Sequence, residues 1–296
     1  MLCKPFCFFF FSSVVGIPLP FPEWLSELTG LSNWPGVDPP YIPLDFVDFS
    51  VIPGESESWV HTQGSCQSIE NTADVCSFDC WACATEEDVV TCPVLSQTFD
   101  DGPSPFTLDL IDKLETPVTF FTIGINVVRF PHVYRKTANK GHIMASHTWS
   151  HKFLPSLTNE EIIAQIEWSV WAMNATQHHL PKWFRPPYGG IDNRIRSILH
   201  HFGMQAVLWD FDSLDWALAA GQGKETEEEL HERLLDFSEK RNNKGLILEH
   251  DSFEKTVNIG KGLYELVGSD QLTVPQCVEG IDYIKTWDSD CESCSV

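Results

Sequence analysis

From about residue 93 onward, short apolar runs alternate with segments of helical spacing, and nothing else in the 296 residues limits the fold so tightly. Strands are predicted over 94–99, 117–123, 142–146, 182–184, 206–208 and 246–248. Helices are predicted over 104–114, 129–140, 157–179, 192–201, 225–240 and roughly 256–267. Alternation repeated this often specifies a mainly parallel sheet, doubly wound or closed as a barrel. The helix over 157–179 is the most sharply written. Thr158 and Glu161 make a capping box, and Ile162, Ile163, Ile166, Val170 and Met173 follow on one side. Ser104 stands where the helix over 104–114 needs a cap.

The chain before residue 93 has a different texture. Residues 1–17 carry Lys4 and then apolar runs over 6–11 and 14–17, too brief to span a bilayer, which is the pattern of a secretory signal peptide. Residues 18–65 are rich in proline, aromatics and acids with little periodicity, and an irregular extension wrapping over the main domain is expected. Together with the cysteine-rich stretch up to residue 91 it precedes a domain over 92–286 and a short tail over 287–296. No later run is long and apolar enough for a membrane helix, and the C-terminal residues carry no hydrophobic tail for a lipid anchor.

Of the ten cysteines, Cys3 and Cys7 fall in the leader and eight remain, an even number that in a secreted chain reads as disulfides. The spacing of Cys80 and Cys83 also suits a zinc knuckle, but the oxidising compartment favours disulfides. Cys66, Cys76, Cys80, Cys83 and Cys92 crowd together, while Cys277, Cys291 and Cys294 lie far downstream. Five is odd, so one of the cluster reaches the C-terminal group, with Cys277 the natural partner. Asn174-Ala-Thr176 is a glycosylation sequon late in the long helix, usable if that face is exposed.

A content of 43% apolar residues with 11 Trp provides a core of full size, so disorder is excluded as the general state. The net charge of −23 repels phosphate backbones, which argues against nucleic acid and anionic membranes and suits a neutral or cationic partner.

The chemistry gathers where predicted strands end. Asp100 and Asp101 close the first run, and the Gly102–Pro103 turn bends the chain so that both acids can share a site, one holding a metal and the other moving a proton. His147 and His151 follow the third run, and two histidines with a carboxylate leave open positions on a metal for water and substrate. Their spacing of four meets one metal if the backbone makes a helical turn. Arg185 opens a rigid Pro-Pro segment and offers a fork for a carboxylate. Asp210, Asp212 and Asp215 are interleaved with Trp209 and Trp216, a pattern that also fits an acidic loop with tryptophans on the core. The run 246–248 delivers His250.

Taken in order, "TFDDGPS", "SHTWSH", "RPPYGG", "DSLDW" and "LILEHD" resemble the five motifs of the polysaccharide deacetylase (NodB-homology) family, carbohydrate esterase family four. The resemblance covers about residues 92–286. The longer stretches "AQIEWSVWAMNAT", "PKWFRPPYGGIDNR", "QAVLWD" and "GLILEHDS", with "CSFDC" upstream, are similar to yeast chitin deacetylases. The resemblance implies an α/β fold, a distorted (β/α) barrel, preceded here by the irregular cysteine-rich extension. It also implies a zinc hydrolase, with cobalt among the other divalent metals such a site takes. Asp101, His147 and His151 would bind the metal, Asp100 would act as general base oriented by Arg185, and His250 would be the general acid supported by Asp215. The Tyr188 backbone N–H would help hold the oxyanion, and Trp216 and Leu248 would line the pocket for the acetyl methyl. Every motif residue is in place. The implied substrate is chitin or its oligosaccharides, converted to chitosan and acetate outside the cell, in the cell or spore wall.

Three other readings compete. Non-haem iron oxygenases use two histidines and a carboxylate but sit on antiparallel sheets and have no use for Asp100, Arg185 or His250. A chitin-binding wall protein has no use for a base beside a metal triad. Within the deacetylases, xylan or peptidoglycan is the alternative substrate.

Overall fold

All six residues of Leu95–Asp100 are buried, and a segment closed off on both faces is what the interior of a parallel sheet demands. It is strand β1 of a computed structural model that describes residues 17–54, 59–69, 71–222 and 225–287. Residues 1–16 of the expected leader, Cys291 and Cys294 lie outside the described residues.

The remaining strands are β2 (Thr119–Thr122), β3 (Ile143–Ser146), β4 (His179–Pro181), β5 (Trp183–Phe184), β6 (Gln205–Ala206), β7 (Phe211–Asp212), β8 (Gly245–His250) and β9 (Tyr283–Thr286). Seven of them form one sheet in the order β6-β5-β3-β2-β1-β8-β7, and every pairing in it is parallel. β6 and β7 are its two edges, so among the described residues no ladder closes the curled sheet, and the barrel is an incomplete one. β4 and β9 make a separate antiparallel pair.

The helices are α1 (Glu23–Thr29), α2 (Phe78–Trp81), α3 (Thr107–Lys113), α4 (Gly124–Arg129), α5 (Pro131–Asn139), α6 (Asn159–Gln177), α7 (Asn193–His201), α8 (Asp215–Ala220), α9 (Glu227–Lys240), α10 (Glu254–Val267) and α11 (Val274–Cys277). The expected helices are present with ends shifted by a few residues, α10 starting two residues early, and α6 starts at the Thr158–Glu161 capping box. α3 starts three residues after Ser104. The Ser104 hydroxyl instead donates to the Asp251 carbonyl at 2.6 Å, tying the loop to the end of β8.

The extension wraps the main domain as expected, apart from the short helix α1. It covers the outer face of α6. The Trp168 indole donates to the Pro40 carbonyl at 2.8 Å, the Trp149 indole to Gly36 at 2.7 Å, and Trp34 stacks on Trp149. With this second layer most of α6 is buried, including Asn174, which is only 7% exposed. The sequon face is therefore not the exposed one that its use would require.

Disulfides join Cys66 to Cys80, Cys76 to Cys83 and Cys92 to Cys277. The third ties the segment just before β1 to the end of α11, the pairing expected for Cys277. With both Cys80 and Cys83 engaged, the zinc-knuckle alternative is closed.

Candidate active site

The sheet's register sets the centre of the site. β1 runs parallel to β8 with Asp100 opposite His250, so an acid and an imidazole are delivered at one level where both strands end. That C-terminal edge is where α/β barrels carry their chemistry. Past Asp100 the chain bends through Asp101, at φ 76°, and a cis Gly102–Pro103 bond. The bend brings Asp101 Oδ1 within 3.5 Å of His147 Nε2 and 3.2 Å of His151 Nε2.

The two histidines reach this point without the helical turn their spacing suggested. Thr148 and His151 both adopt left-handed backbone, at φ 68° and 60°, and the Thr148 hydroxyl oxygen accepts the His151 N–H at 2.9 Å. Tyr188 and Leu214, on the loops after β5 and β7, are left-handed too, at φ 60° and 57°. Each such non-glycine residue costs on the order of 1–3 kcal/mol, so the frame of strands rather than local preference holds these loops.

His147 is buried, and its Nδ1 lies 2.7 Å from the Arg185 carbonyl. A carbonyl only accepts, so Nδ1 carries the proton and the Nε2 lone pair faces Asp101. Burial pushes the pKa of His147 well down and that of His151 down, keeping both imidazoles neutral. The Asp101 oxygen they face is buried and has no hydrogen-bond partner. Three electron-pair donors, all within 4.8 Å of one another, stay together when a cation sits among them. The residues therefore fit a divalent metal.

Asp100 lies behind this triad. Arg185, itself fully buried, donates Nη1 to Asp100 Oδ1 at 2.8 Å and to Thr98 Oγ1 at 2.7 Å. Its other nitrogens donate to the Val207 and Leu208 carbonyls, and its guanidinium lies 4.0 Å from the centre of the Phe121 ring. Burial raises the pKa of Asp100 to about 6 against the pull of Arg185 and His250. His250 has the opposite balance. Burial pushes its pKa down, but the Asp215 carboxylate, 2.7 Å from Nδ1, and the Asp101 and Asp100 charges raise it to about 10.

Asp100, Asp101, His147, His151, Tyr188, Trp216, Leu248 and His250 line one cavity of about 400 Å³, together with Gln63, Pro186, Trp209 and Asp212. The residues expected to act together are therefore brought together, Arg185 and Asp215 standing directly behind the walls.

The chain's residues 88–207 match the polysaccharide deacetylase family. It is 55% identical to chitin deacetylase 2 of Saccharomyces cerevisiae, over 90% of this chain and 83% of that protein. It is 51% identical to chitin deacetylase 1 of the same yeast, over 93% and 89%. The chain belongs to the polysaccharide deacetylase family. Its fold is also similar to the solved structure of the chitin deacetylase from Colletotrichum lindemuthianum, with a TM-score of 0.58 and 25% identity over 66% of this chain and 92% of that one.

Three features of this polysaccharide deacetylase were not read from its sequence. Asp251 is fully buried behind the acid pair, with one oxygen accepting from the Thr107 hydroxyl at 2.5 Å. A Cβ on Gly102 would come within 2.3 Å of that carboxylate, which gives the glycine of "DDG" its reason. Asp251 directly follows His250, and that adjacency was the available signal. The Tyr188 hydroxyl lies 3.1 Å from His151 Nδ1, so its side chain steadies a histidine as well. Asp210, by contrast, is structural: its two oxygens accept from the Leu246 N–H and the Arg241 guanidinium.

Proposed function

We propose that the chain is a secreted, zinc-dependent chitin deacetylase that hydrolyses the N-acetyl groups of N-acetylglucosamine units, giving chitosan and acetate. The observation that carries this is the buried, unpartnered Asp101 oxygen facing two neutral imidazoles, with Asp100 and His250 beside it in one cavity. The two yeast relatives favour chitin over xylan or peptidoglycan. No helix among the described residues is long and apolar enough to cross a membrane. The disulfides suit an oxidising, extracellular setting, and the wall of the cell or spore is the proposed place of action.

Asp101, His147 and His151 would hold the cation, and a mixed imidazole–carboxylate set suits zinc. When bound there, zinc polarises the acetamide carbonyl and acidifies a water. Asp100, held by Arg185, takes a proton from the attacking water, and burial raises its proton affinity above that of an ordinary carboxylate, which suits a base. The Tyr188 backbone N–H would help hold the oxyanion that forms on the carbonyl, and Tyr188 lines the cavity from which it would do so. His250, its Nδ1 occupied by Asp215, gives the Nε2 proton to the amide nitrogen as the C–N bond breaks. Trp216 and Leu248 take the acetyl methyl. The water's elements end in acetate and in the freed amine, and the acidic surface does not repel that amine once it is cationic.

Acetate release from chitin oligomers tests this directly. Turnover is expected in the purified protein, abolished by a chelator and restored by zinc. Turnover that survives complete removal of metal overturns the reading.

A further inference from the structure

We infer that Gln63, on the disulfide-stapled extension, binds the sugar chain of the substrate beside the unit that loses its acetyl group; this rests on the chitin deacetylase reading. Gln63 lies outside the matched residues 88–207, yet it lines the same cavity as the metal triad, Asp100 and His250. It is exposed, whereas His147 and Asp100 at the base are buried, so it stands at the mouth of the cavity. A carboxamide offers both donors and an acceptor and carries no charge, which matches the hydroxyl and acetamido groups of a neutral sugar.

What holds Gln63 there distinguishes it from a loose surface side chain. Two residues earlier, His61 is buried, packs edge-on against Phe153 with ring centres 5.3 Å apart, and meets Asp79 Oδ2 at 2.9 Å. Three residues later, Cys66 is bonded to Cys80. Asp79 and Cys80 both lie on α2, whose Phe78 packs on Trp209 at 5.2 Å and donates its N–H to the Ile191 carbonyl at 3.0 Å. A Cβ on Gly189 would already come within 3.0 Å of the Phe78 ring, so α2 sits hard against the loop that carries Tyr188. The extension is thereby pinned on both sides of Gln63 and locked to a wall of the cavity.

Steady-state kinetics on soluble chitin oligomers test this. Gln63→Ala is expected to raise KM by roughly five- to tenfold, the loss of one hydrogen bond, while kcat stays within about twofold. The paired variant Cys66→Ser/Cys80→Ser, which frees one tether, is expected to raise KM in the same direction. If that variant fails to fold, the exposed Gln63→Ala decides alone. A KM within about twofold of wild type, or a kcat that falls as far as kcat/KM, overturns the inference. A metal-loaded wild-type protein that releases no acetate refutes the deacetylase reading itself.

Discussion

Asp215 holds His250 twice: its Oδ1 accepts from the imidazole Nδ1 at 2.7 Å and its Oδ2 accepts the backbone N–H of the same residue at 2.8 Å. The first contact sets the charge of the ring and the second fixes where the ring stands. Because Asp215 is fully buried, little water screens that charge.

The pair predicts the shape of the pH profile. The base must be deprotonated, so kcat/KM rises as Asp100 loses its proton through about 6, and a cation bound beside it moves that limb lower. The proposed acid must be protonated, so activity is expected to fall as His250 loses its proton; the Asp215, Asp101 and Asp100 charges place that loss well above the ordinary imidazole range, and a cation bound at Asp101 moves this limb lower too. Asp215→Asn removes the charge that raises the His250 pKa, and the basic limb is expected to shift toward neutrality with a loss of roughly a hundredfold or more in kcat. A basic limb that stays in place in this variant contradicts the assignment.

Neighbouring acids are predicted to fail differently. Asp100→Asn preserves a polar group beside Arg185 and leaves the triad whole, so metal stays bound while kcat falls by roughly a hundred- to ten-thousandfold. Asp101→Ala or His147→Ala removes one of the three proposed ligands, and metal is expected to be lost along with activity. Metal analysis of the purified variants separates the two cases. Equal metal loss in Asp100→Asn would show that the two acids do not divide their tasks.

The sequence made legible what depends on neighbours in the chain. Thr158 and Glu161 cap α6 through contacts within one turn, β8 is written as an apolar run at Leu246–Leu248, and β1, although it carries Ser96, Gln97 and Thr98, is a short β-prone run between Leu95 and Phe99. The acid pair, the two histidines and His250 were legible because each follows such a run. What escaped depends on distant partners. Asp251 meets Thr107 across 144 residues, and neither position signals the other. The left-handed turns at Thr148 and His151 carry no glycine to announce them, since the surrounding frame imposes the conformation. The β4–β9 pair is brief and includes Pro181, a residue that weighs against a strand in any local reading.

Glu167 is predicted to make folding stability fall with pH. It is fully buried on α6; one oxygen accepts the Ile42 N–H at 2.9 Å and the other has no partner. Burial outweighs the Ile42 hydrogen bond and raises the pKa to about 8. A carboxyl raised in this way contributes its full stability below its unfolded value of about 4.5 and loses it as pH rises through 8. Glu167→Gln keeps an acceptor for Ile42 and removes the buried charge. It is expected to gain on the order of a few kcal/mol relative to wild type at pH 8 and above, and nothing at pH 4. Melting curves at the two pH values check this, and a gain of equal size at both would assign the effect to packing instead.

The Cys92–Cys277 bond is predicted to govern stability without touching the chemistry. It closes a loop of 185 residues, and the chain entropy removed from the unfolded state corresponds to about 5 kcal/mol as an upper value. For a chain of this size that is at most roughly 10 °C in Tm. Cys92 lies just before the start of β1, whereas Asp100 ends that strand, and six residues of extended chain put about 20 Å between the bond and the reacting groups. Cys92→Ser/Cys277→Ser should therefore melt earlier while retaining its metal and, well below its Tm, a kcat within about twofold of wild type. An unchanged Tm would show that other contacts already restrain the unfolded chain. A kcat lost at low temperature would show instead that the bond sets the geometry of β1 through to its far end, where Asp100 meets Arg185.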